Sequence, residues 1–120
     1  MIDESQRYRD WVNRYVTAWN SNDPEDIGAL FSAGARYSTS PYEQPWMGRD
    51  SIIQEWLNHR DQPGDATFDF DVLICNPDLG IVRGRTYYRS TGQTYHNLWE
   101  IRMDGNLCRE FVEWWMEDED

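Results

Sequence analysis

The sequence predicts an α+β domain in which helices lead and a mainly antiparallel sheet follows. Two observations carry this. Apolar residues recur at helical spacing through the first half and then, from Phe68, at a spacing of two. No strand-helix-strand alternation interrupts the second half, which removes parallel crossover architectures and packs the helices on one face of the sheet.

Tyr8, Trp11, Val12, Tyr15, Val16 and Trp19 repeat once per helical turn, with Arg9, Asp10, Asn13 and Arg14 on the opposite side. This predicts a long amphipathic first helix. Asp23-Pro24-Glu25-Asp26 supplies an N-cap, a proline at the first helical position and early acids, so a short second helix follows with Ile27, Leu30 and Phe31 as its stripe before Gly34. Ala35 to Thr39 reads as a brief strand, and the prolines of 40–45 force a loop. Gly48 opens a third helix with Ile52, Ile53, Trp56 and Leu57 inside, ending before Pro63-Gly64. Phe68, Phe70, Val72 and Ile74 then mark one face of a half-buried strand. Turn signals at Asn76-Pro77-Asp78, Ser90-Thr91-Gly92 and Asp104-Gly105 separate it from three more strands, about 80–89, 94–103 and 107–116.

The 120 residues set one domain, 1–120, as the expectation, with 117–120 a frayed acidic tail. A chain of this size buries roughly 65% of its unfolded surface, enough for one core and one enclosed pocket. All eleven cations are Arg against 22 acids, a net charge of −11 without an Arg stripe, which argues against nucleic acid and anionic membranes. There is no signal-like start and no run near the ~18 apolar residues of a membrane span, so a cytoplasmic location is expected. Cys75 and Cys108 are too few for a disulfide framework and lack basic neighbours that would activate a thiol; they read as apolar filler. Neither His59 nor His96 stands in a metal-ligand spacing, so neither a metal nor another cofactor is expected. His59 ends the third helix, and His96 points to the outer sheet face.

Several strings then resemble a known family. Asn13-Arg14-Tyr15-Val16-Thr17-Ala18-Trp19-Asn20, followed by Asp23, by Ala29-Leu30-Phe31, by Pro45 with Gly48, and by Asp104-Gly105 before the last strand, are similar in order and spacing to the nuclear transport factor 2-like superfamily, in its SnoaL-like and ketosteroid isomerase-like branch. The resemblance covers nearly the whole chain and implies a cone-like fold, three helices on a curved sheet enclosing a pocket. This fold hosts many chemistries. In ketosteroid isomerases a first-helix Tyr and a protonated Asp on a later strand donate to the substrate oxygen while another Asp moves the proton. The resemblance puts that Tyr on Tyr15 and the donor Asp near Asn97, whose amide can still donate. The base position falls on Thr39 or Ser40, and neither hydroxyl abstracts a proton unaided, so a typical ketosteroid isomerase is not expected.

Strand alternation gives a second route to the pocket. Glu100 and Arg102 face water, which turns Tyr95, Asn97, Trp99, Ile101 and Met103 inward; on the preceding strand Val82, Gly84, Thr86 and Tyr88 turn inward, Gly84 either leaving room for a ligand or marking a bend. On the last strand the resemblance turns Cys108, Glu110, Val112 and Trp114 inward, whereas polarity alone accepts either Glu110 or Glu113 on the wet side. Glu110 is expected inside. The expected catalytic set is therefore Tyr15 and Asn97 as donors and Glu110 as acid/base, its pKa raised by desolvation, with an ion pair to Arg as the competing role. The expected lining comprises Trp19, Tyr37, Trp46, Trp56, Val82, Gly84, Thr86, Trp99, Val112 and Trp114.

Two functions follow. One is a cofactor-independent acid/base enzyme (isomerase, cyclase, dehydratase or hydrolase) acting on a small hydrophobic oxygenated molecule. The other is a non-catalytic ligand-binding or scaffold domain. Outward Ile81, Tyr87 and Leu98 further suggest a homodimer through the convex face.

Overall fold

Asp3 caps the first helix by accepting from the Gln6 amide at 2.8 Å, and Asn22 ends it in the left-handed conformation. The computed structural model describes residues 3–118. The helices are α1 (Glu4–Ser21), α2 (Pro24–Gly28) and α3 (Arg49–Asn58); the strands are β1 (Phe31–Ser38), β2 (Trp46–Met47), β3 (Ala66–Cys75), β4 (Leu79–Tyr88), β5 (Thr94–Asp104) and β6 (Leu107–Glu117). They form one sheet in the order β2-β1-β6-β5-β4-β3, antiparallel throughout except where β1 lies parallel to β6. The expected four-strand meander is β3 to β6. The helices cover one face of this curved sheet, giving the cone-like α+β architecture.

Three expectations need correction. The second helix stops at Gly28, because Phe31 is drawn into β1 opposite Cys108, whose amide donates to the Leu30 carbonyl at 2.8 Å. Pairing with β6 there overrides the local helical stripe. Trp46 and Met47, expected beyond a plain loop, add a short edge strand to β1. At the other end β6 remains paired with β5 through Glu117, and the Asp118 amide donates to the Thr94 carbonyl at 2.9 Å, so the expected frayed tail does not begin at 117. Glu119 and Asp120 of that tail lie outside the described residues.

The core is the buried face of α1 (Tyr8, Trp11, Val12, Tyr15, Ala18) set against Val82, Trp99, Ile101 and Phe111 of the sheet. Trp11 is wholly buried, and its indole N–H is satisfied by the Leu30 carbonyl at 2.9 Å. Gly80 lets α1 approach β4: a Cβ there would lie 2.4 Å from the Tyr8 ring.

Two bulges set which side chains reach the core. Val72 pairs with Val82 and Ile74 with Ile81, leaving Leu73 as an extra residue on β3. Beyond it the alternation reverses, so Ile74, expected inside, is 60% exposed and Cys75 packs against the core. On β6, Glu110 pairs with Arg102 and Cys108 with Met103, leaving Arg109 extra. The Arg109 guanidinium donates to the Met103 carbonyl at 2.7 Å beside this break.

Candidate active site

Because of the Arg109 bulge, Cys108 and Phe111 both point inward and Glu113 follows Phe111 on the same face. A cavity of about 570 Å³ opens between α1, α3 and the concave sheet, and Glu113, not Glu110, lines it. Glu110 lies on the other face, half-exposed, 3.5 Å from the Arg102 guanidinium. The competing ion-pair role is thus the one the structure gives it. Val112 and Trp114 share its displacement. Neither lines this cavity, and the Trp114 indole N–H donates to Glu100 at 2.6 Å on the outer face. A clue was present in the sequence: Cys108 and Phe111, the apolar ends of Cys108-Arg109-Glu110-Phe111, are three apart, which breaks a period of two.

Tyr15, Trp19, Tyr37, Trp46, Trp56, Thr86, Asn97 and Trp99, all in the expected catalytic set or lining, line the cavity. Val82 and Gly84 do not. Val82 is wholly buried in the core, and the space beside Gly84 is taken by Phe68, whose ring would lie 2.2 Å from a Cβ at that position. The cavity also takes in His59, Arg60, Asp61, Asp65, Ser90 and Thr91, from segments after α3 and β4 that carry no periodic signal. Of Thr39 and Ser40, the two residues on which the resemblance puts the base position, Thr39 lines the cavity, while Ser40 is buried with its hydroxyl unpartnered among the described residues.

The floor holds two hydrogen-bonded groups. Thr86 donates to Asn97 Oδ1 at 2.8 Å, and the Asn97 amide donates to Glu113 Oε2 at 2.7 Å. The Trp99 indole donates to the same oxygen at 3.1 Å. Among the described residues no group donates to Glu113 Oε1. Burial raises the Glu113 pKa above the ordinary carboxylate range, and the Trp99 and Asn97 donors oppose the rise in part. In the second group the hydroxyls of Tyr15 and Tyr37 lie 2.6 Å apart. Burial first, then the neighbouring phenol and Glu113, pushes the Tyr15 pKa well up, and burial followed by Glu113 does the same for Tyr37. Both stay protonated at neutral pH. Since one proton suffices for the bond between them, the pair keeps a second O–H for another acceptor.

The expected pairing of Tyr15 with Asn97 is therefore not what the geometry brings together. Tyr15 pairs with Tyr37, and the Asn97 donor is engaged by Glu113. Aromatic walls complete the site: Tyr15 lies 4.8 Å from Trp56 and 4.7 Å from Trp99 between ring centroids, and Trp46 stacks on Tyr37 at 4.8 Å. Cys108 is inert filler, its thiol pKa pushed up by burial. Among the described residues no cluster of three His, Cys, Asp or Glu could hold a metal ion, and no helix is long and apolar enough to cross a membrane.

A cone of helices on a curved sheet with a pocket in its concave face defines a nuclear transport factor 2-like protein. The chain belongs to the SnoaL-like domain family, whose model matches residues 12–115. Similar solved structures include a ketosteroid isomerase-like protein from Erwinia carotovora atroseptica, 17% identical with a TM-score of 0.70 over 98% of this chain and 100% of that one. An NTF2-like protein of unknown function from Mesorhizobium loti is 18% identical, TM-score 0.71, over 97% and 96%. Another, from Burkholderia xenovorans, is 12% identical, TM-score 0.76, over 98% and 88%. At these identities the likeness shows the fold alone. No curated protein matches the chain.

Proposed function

We propose that this chain is a cofactor-independent acid/base enzyme acting on a small hydrophobic oxygenated molecule, with Glu113 as the proton-transferring group. The observation that carries the reading is a carboxylate of raised proton affinity lining an aromatic cavity, one oxygen held by Asn97 and Trp99 and the other without a donor among the described residues. A general acid or base works best with a pKa near the operating pH, and desolvation moves a Glu in that direction. The Tyr15–Tyr37 pair supplies an O–H donor for a substrate oxygen on which negative charge develops. The resemblance puts the ketosteroid isomerase base on Thr39 or Ser40, which cannot serve unaided, so in this reading the proton is moved from β6 instead. Asn97 acts through Glu113 as a positioning residue.

The test is proton-deuterium exchange and turnover on hydrophobic ketones, epoxides and polyketide-like compounds, followed by NMR. Glu113→Gln is expected to abolish any activity found, and Tyr15→Phe to lower it. Activity that survives Glu113→Gln sinks the Glu113 mechanism, and an absence of exchange and turnover on all of these compounds leaves a binding role.

A homodimer through the outer sheet face is proposed on a separate observation. Trp114 and Met116 there are 46% and 66% exposed, beside Leu98 and the 83% exposed Tyr42. A monomer mass by light scattering at micromolar concentration would rule this out.

A further inference from the structure

The cavity holds three carboxylates, Asp61, Asp65 and Glu113, and none joins an ion pair among the described residues. Asp65 is occupied by Ser90, whose amide and hydroxyl donate to its two oxygens, each at 2.8 Å. Glu113 lines the cavity, and among the described residues no group donates to its Oε1. Asp61 stands at the mouth, on the segment joining α3 to β3. Its Oδ2 accepts from the Trp19 indole at 2.8 Å and the Tyr88 hydroxyl at 3.1 Å, and no described group donates to its Oδ1.

Two neutral donors orient the Asp61 carboxylate without neutralising it. The basic side chains on that wall are turned to backbone: Arg60 donates to the Leu57 carbonyl at 2.9 Å, and His59 Nδ1 lies 2.9 Å from the Glu55 carbonyl. The remaining walls are mostly aromatic, and ring quadrupoles attract cations. A chain of net charge −11 adds a field that draws cations in and turns anions away.

We infer that Asp61 is the recognition group for a protonated amine carried by an otherwise hydrophobic ligand. The inference rests on the reading of this cavity as the ligand site and adds the charge of the ligand to it. The amine donates to Asp61 Oδ1 at the mouth, the apolar body packs among Trp19, Trp56 and Trp99, and the oxygen-bearing end faces Glu113 and the tyrosine pair. A carboxylate in place of the amine brings like charge against Asp61. An alcohol keeps the hydrogen bond and loses the charge.

The experiment compares 2-(2-naphthyl)ethylamine, 2-(2-naphthyl)ethanol and 2-naphthylacetate, which share an apolar body and differ in charge, against the whole chain at pH 7 by calorimetry. The amine is expected to bind about tenfold tighter than the alcohol, as a charge-assisted hydrogen bond implies, and the acid more weakly than either. In Asp61→Asn the amine's advantage is expected to disappear while the alcohol's affinity holds. Asp65→Asn, whose carboxylate is already occupied, keeps the advantage. Equal binding of amine and alcohol to the wild-type chain, which needs no variant, overturns the assignment and leaves the cavity reading standing. So does a preference that survives Asp61→Asn. Failure of all three to bind overturns both.

Discussion

The Asn97 amide donates to Glu113 Oε2 at 2.7 Å and is itself oriented by Thr86, which donates to Asn97 Oδ1 at 2.8 Å. The buried polar chain therefore runs from a hydroxyl through an amide to the one carboxylate at the cavity floor. Each group fixes the next, so the acceptor side of Asn97 is used and its N–H is directed at the acid.

Removing that donor should make Glu113 harder to ionise. In Asn97→Leu only the Trp99 indole remains on Oε2, and the Glu113 pKa is expected to rise further, because the charged form loses one of its two donors. Carbon-detected NMR titration of the Glu113 carboxyl reads this directly. An unchanged titration would mean that burial alone sets the proton affinity.

Glu113 also gives stability a definite pH dependence. Its folded pKa lies above the unfolded value of about 4.5. Between those two values the folded chain holds a proton that the unfolded chain has released, so stability falls as pH rises through the window and levels off above the folded pKa. Glu113→Gln removes this slope. Thermal unfolding of both proteins from pH 4 to 8 should show the variant gaining on the wild type as pH rises, and parallel curves would count against a raised Glu113.

Glu110 is the contrasting case. Its ion pair with Arg102 is half-exposed at 3.5 Å, and such pairs contribute about 0–1 kcal/mol. Glu110→Gln should leave both the melting temperature and any activity nearly unchanged. A loss of activity as large as that of Glu113→Gln would show that the last strand lies in the other register.

Gly84 is a packing position. A methyl group there meets the Phe68 ring at 2.2 Å and the Asp69 carbonyl at 3.2 Å. Gly84→Ala should cost about 1–3 kcal/mol through overpacking, lowering the melting temperature by roughly 4 °C or more. Phe68→Leu in the same chain should recover part of the loss, because the two sites share one space.

The helical spacing from Tyr8 to Trp19 and the alternation along β4 and β5 are legible in the sequence alone. They placed Tyr15, Trp19, Thr86, Asn97 and Trp99 on inner faces, since periodicity is a local property of the chain. The resemblance carried by residues 13–20 and the later strings added the cone-like fold. What only the tertiary structure decided begins at the bulges. One extra residue, Arg109, reverses the alternation of β6 and exchanges Glu110, Val112 and Trp114 for Phe111, Glu113 and Trp115 on the cavity side. Leu73 does the same for Ile74 and Cys75. A bulge depends on how two strands register against each other, and the mouth residues Asp61 and Asp65 depend on where a nonperiodic segment docks. Both are settled by contacts between residues distant in sequence, which one strand's pattern does not contain.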